Sequence, residues 1–176
     1  MKTVFLFLFL TLASFTKESV NQNPVSQLPP VTQIGANKVG CLVNGQVLLP
    51  YQKNIFGVPS VTCSYQFIND NYEFGLGFSN DKDGVKGISV LTNKLELTQG
   101  QIYTLKQEEN LNSSYAYYNL GLTYFGTNVL NNGELRITKL DQTNAIISGT
   151  FWFDAINNAG VKVEVREGRF DMQYSQ

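Results

Sequence analysis

The sequence predicts an all-β fold, a single antiparallel β-sandwich or flattened barrel. Two observations carry this. From Val39 onward apolar residues recur at every second position, not at the 3.6-residue period of a helix. Clusters of Asn, Asp and Gly interrupt that alternation roughly every eight to twelve residues, the spacing of short strands joined by tight turns. No stretch carries a sustained helical stripe with caps at its ends.

The strands follow in order. Val39, Cys41 and Val43 alternate, Asn44-Gly45 offers a two-residue hairpin turn, and Gln46 to Leu49 returns. Val61, Cys63, Tyr65 and Phe67 share one face of the next strand, and Asn69-Asp70-Asn71 turns it. Tyr72, Phe74, Leu76 and Phe78 then share a face opposite Gly75 and Gly77. After Asn80-Asp81-Lys82-Asp83-Gly84, strands are expected over 85–91, 101–105, 115–120 and 122–125. The last third is the most regular. Leu135 and Ile137 alternate, as do Phe151, Phe153 and Ala155, and then Val161, Val163 and Val165. Gly168 interrupts the final run as a bulge would, and Phe170, Met172 and Tyr174 resume it.

The N-terminus reads differently. Met1-Lys2 followed by the apolar run Val4 to Leu10 has the layout of an export signal, and the run is too short to span a bilayer. Leu12-Ala13-Ser14 leads to Phe15 where a lipoprotein signal would need Cys, so this junction cannot be acylated. Residues 16–37 are polar, contain Pro24, Pro29 and Pro30, and lack periodicity. The expected organisation is an export signal over 1–15, a flexible linker over 16–37 and a β-sandwich domain over 38–176. The protein is accordingly expected in the periplasm, on the outer-membrane surface or outside the cell.

Composition narrows the chemistry. The 176 residues carry 13 Lys and Arg against 14 Asp and Glu, so no basic excess exists to neutralise phosphates, and nucleic acid is not an expected partner. Histidine is absent, which removes the commonest general base and transition-metal ligand. Two cysteines are too few for a Cys/His zinc site. Asp81-Lys82-Asp83-Gly84 lacks the acidic residues a calcium loop needs at Ser79 and Val90 and reads as a turn. Glu108 and Glu109 are adjacent on an extended chain and point apart, unlike a glycosidase pair. Ser148 has no histidine to activate it. No catalytic residue, metal or cofactor is expected.

The stretches LPPVTQIGANKVGCLVNGQV, GELRITKLDQTNAIISGTFWFDA and EVREGRFDMQY resemble a family of small exported proteins of the Bacteroidetes phylum. Its members are typically predicted lipoproteins whose domain has no assigned function. The resemblance covers most of residues 28 to 174 and implies export and a single β domain. It also implies a membrane tether in those relatives that carry the lipid-accepting Cys. It assigns no catalytic or binding residue.

Aromatic residues, 12% of the chain, are the remaining lead. The tyrosines of Tyr115-Ala116-Tyr117-Tyr118 fall on both faces of one strand, and Trp152 stands opposite Phe151 and Phe153. Tyr115, Tyr117, Tyr118 and Trp152 are therefore candidate contacts for a ligand, since exposed Tyr and Trp suit stacking on sugars or gripping a partner chain. Cys41 and Cys63 fall on apolar faces of strands expected to be adjacent, and in an oxidising compartment they could form a disulfide. The expected function is an exported, non-enzymatic domain that binds a glycan, a peptide or an envelope protein. The second expectation is a structural accessory subunit of an outer-membrane complex, without a ligand of its own.

Overall fold

The computed structural model describes residues 23–52, 60–107 and 111–176. The expected export signal, the Phe15 junction, the first part of the expected linker and the Glu108-Glu109 pair lie outside them. Within them the chain forms eleven strands: β1 (Lys38–Val43), β2 (Gln46–Leu48), β3 (Val61–Ile68), β4 (Asn71–Asn80), β5 (Lys86–Asn93), β6 (Ile102–Leu105), β7 (Ser113–Leu120), β8 (Thr123–Gly126), β9 (Gly133–Asp141), β10 (Ile146–Ile156) and β11 (Lys162–Gln173). A short 3-10 helix over Pro24–Gln27 precedes them.

All strands belong to one antiparallel sheet, ordered β2-β1-β11-β10-β8-β7-β5-β4-β3, with β9 paired to β10 and β6 paired to β9. The all-β reading holds. The hairpin turns match their sequence signals: Asn44 and Gly45, and likewise Asn69 and Asp70, adopt the positive φ that two-residue hairpin turns require. The sheet curls on itself, because Phe74 of β4 meets Phe170 of β11 with ring centroids 6.0 Å apart. Its last strand continues into Ser175, which bridges to Ser64 on the far edge. There Tyr65 N donates to Ser175 O at 3.1 Å and Ser175 N to Cys63 O at 3.0 Å. The alternating apolar residues point into the space so enclosed. Leu76, Val90, Leu135, Ile137, Phe153 and Val165 are almost wholly buried there.

Residues 23–37 depart from the linker expectation. Leu28 is buried, and the chain after it straps across β11 through Asp171. The Asp171 carboxylate, itself buried, accepts hydrogen bonds from Thr32 Oγ1 (2.6 Å), Ile34 N (3.1 Å), Gly35 N (2.8 Å), Ala36 N (3.2 Å) and Ser148 Oγ (2.8 Å). Burial on its own would raise this carboxyl. The donors outweigh it and hold the group down at about 2. The sequence shows only a polar, Pro-rich stretch. What orders it is a partner more than a hundred residues away.

Candidate functional site

The four candidate aromatics separate into core and surface. Tyr118 is 5% exposed and packs against Phe125 with ring centroids 5.6 Å apart. Burial, and then the nearby Cys41 thiol, raise its hydroxyl above the usual tyrosine range. Tyr115, on the opposite face, is only 9% exposed. Both are corrected from contact residues to core residues. The reason is what packs over each face: Phe125 lies against Tyr118 on one side of β7, and Tyr117 lies edge-on against Tyr115 on the other. Tyr117 touches Tyr115 edge-on at 5.6 Å but stays half-exposed.

Trp152 is 36% exposed and lies in a different place from the tyrosines. It sits beside the β11 bulge, where the pairing of β10 skips from Gly168 to Val165. The bulge puts Arg166 over the indole, 5.4 Å from the ring centroid. Arg166 also bonds Asp154 Oδ1 at 2.6 Å and the carbonyls of Phe153 and Val165, while Trp152 Nε1 donates to Glu134 Oε2 at 3.3 Å. Arg169 pairs with Glu167 at 3.1 Å. A shallow groove of about 380 Å³ runs between these groups, but their charges and donors already satisfy one another. This cluster reads as structure.

The tyrosine surface is different in kind. On β8, Gly126 lies across from Tyr117, and Ile156 of β10 lies across from Gly126, so the three form one row. A Cβ on Gly126 would meet the Tyr117 ring at 3.1 Å; the absent side chain leaves room for the ring against the strand. The row forms the floor of an open groove of about 880 Å³. One wall is the β7–β8 hairpin, with Leu122 94% and Tyr124 68% exposed. The other is the β10–β11 turn at Asn157 and Asn158, and Asn128 closes an end. Among the described residues no charged side chain lines it.

Two of its carboxamides are held in place. Asn128 Oδ1 accepts from Leu130 N at 2.9 Å and Asn131 N at 2.7 Å; Asn157 Oδ1 accepts from Ala159 N at 3.0 Å and Val161 N at 2.9 Å. These are Asx turns, which asparagine forms through its own oxygen. They fix which end of each amide is left over: among the described residues neither Nδ2 group has a partner.

Of the residues that line the groove, Tyr117 is among the sequence candidates, and Tyr124, Leu122 and the asparagines are not. The turn composition signalled the asparagines, though only as turn formers. Nor does the sequence single out a smaller aromatic cluster. Phe67, which alternation puts on one face with Cys63 and Tyr65, is 61% exposed and packs on Tyr72 at 4.9 Å, while Tyr72 stacks on Tyr65 at 5.1 Å. Cys41 and Cys63 are free buried thiols, on β1 and β3, which are not neighbours in the sheet. The adjacency on which a disulfide was expected is absent.

A family model described as "Domain of unknown function (DUF6252)" matches residues 82–172, just over half the chain, and so takes in the whole tyrosine groove. No curated protein and no solved structure matches.

Proposed function

We propose that this chain, which belongs to the DUF6252 family, is a non-catalytic binding domain that works in the cell envelope and holds its ligand in the groove beside Tyr117 and Tyr124. The observation that carries this is the groove itself. Proteins rarely leave large apolar side chains exposed beside one another without a use, and here Leu122 and Tyr124 stand exposed on a rim of oriented amides. A volume of this order suits a small-molecule or short-polymer ligand. The described titratable groups near it offer no acid–base pair. The apolar run at the N-terminus and the likeness to exported Bacteroidetes proteins support the location; the ligand candidates are a glycan, a peptide or an envelope protein.

The test is a substitution that leaves the fold alone. Tyr124→Ala removes an exposed ring and is expected to shift stability by no more than about 0.5–1 kcal/mol. It should weaken retention of the purified chain on solubilised envelope material about tenfold. Retention equal to wild type would show that the ligand binds elsewhere.

A further inference from the structure

We infer that the groove takes a neutral saccharide. This deepens the proposed function and rests on it. Three features converge. Among the described residues the lining carries no charge, so an acidic polymer or a phosphorylated headgroup would be desolvated there with no described counter-charge to meet it. The largely exposed Tyr124 and the half-exposed Tyr117 both line it, and aromatic faces of this kind accept the C–H face of a sugar ring. Asn128 and Asn157 then supply donors whose direction is fixed in advance. Each carboxamide oxygen is occupied by two backbone N–H groups, and each Nδ2 is left to donate. A ligand satisfying all three must be flat, uncharged and rich in acceptor oxygens. Ring faces bordered by hydroxyls meet that description. Fixed donors also lose little freedom on binding, which favours affinity for a small ligand.

The experiment is native electrophoresis of the full chain through gels cast with neutral polysaccharides (glucan, mannan, xylan, galactan) or with charged ones (polygalacturonate, heparin). At least one neutral polymer should retard the protein, and neither charged one should. Tyr124→Ala should weaken the retardation about tenfold. Asn157→Asp should do the same, through loss of a donor and gain of an unpaired acceptor. Asn157→Asp keeps the oxygen that accepts from Ala159 and Val161, so its melting temperature should match wild type while binding falls. A residue that served only the turn would show no such split. The inference is overturned if no neutral polymer retards the chain, if a charged polymer retards it more, or if both variants bind as wild type does. A photo-crosslinking side chain at position 122 separates the two levels. A peptide adduct there with silent gels sinks the saccharide and leaves a binding groove. No adduct and no retardation removes both.

Discussion

At the residue scale, alternation tells which side chains share a face but not what lies over that face. Tyr115 and Tyr118 point to opposite sides of β7, and both are buried, since one side meets the core and the other is covered as well. Truncation should follow burial. Tyr118→Ala should cost about 3–5 kcal/mol through the cavity it leaves, and Tyr115→Ala a comparable amount. Trp152→Ala should cost about 1 kcal/mol or less, the worth of its exposed stacking with Arg166. Thermal unfolding of the three variants checks the order; a Trp152 loss as large as that of Tyr118 would contradict the surface assignment. The cysteines give a second prediction at this scale. Burial pushes the Cys63 thiol up to about 12 and Cys41 higher still, so neither forms thiolate at neutral pH. A thiol reagent should find none in the folded protein and two after denaturation without reductant. Fewer than two would reveal a bridge.

At the element scale, the strands of the last third were legible because their two faces differ: Val163 and Val165 inward, Lys162 and Glu164 outward. The bulge was legible only nearby: Gly168 itself pairs with Phe151, and the extra residues against β10 are Arg166 and Glu167, Glu167 at positive φ. Gly168 is required for a different reason. A Cβ there would lie 2.5 Å from the Phe151 ring and from the Phe151 carbonyl. Backbone cannot give way as the end of a side chain can, so Gly168→Ala should destabilise by about 2–3 kcal/mol, read as a fall in the denaturant midpoint. An unchanged midpoint would mean that β10 and β11 separate easily at this point. Other features were not legible. Phe67 obeys the period of β3, yet it lies beside the β3–β4 turn and is left exposed. The groove needs β8 and the β10–β11 turn to meet through Gly126 and Ile156, a contact across thirty residues of chain that no local pattern encodes.

At the scale of the whole molecule, the strap over 28–37 joins the start of the described chain to its last strand, and a buried carboxylate holds the join beside Asn37 Oδ1, which accepts from Gln173 N at 3.0 Å. Acid should undo it. The Asp171 carboxyl is held at about 2 in the folded state, below its ordinary value of 3.8. A group depressed in this way contributes stability that is fully present above the unfolded value and is lost as pH falls toward the folded one. The window is therefore pH 4 to 2, and the loss is about 2 kcal/mol. Thr32→Val removes the 2.6 Å donor while keeping the side chain's shape. With fewer donors the folded carboxyl should rise toward its ordinary value, since burial then has less to oppose it. The variant should lose about 1–2 kcal/mol at pH 7 and show a shallower fall between pH 4 and 2. In Asp171→Asn the titrating group is gone, so the fall assigned to it should vanish altogether, at the cost of misfitting an amide to five donors. Urea unfolding of the three proteins at pH 7, 4 and 2 measures both quantities. If Asp171→Asn loses stability between pH 4 and 2 as steeply as wild type, the acid sensitivity belongs to other carboxylates, and the strap is held by the packing of Leu28 rather than by charge.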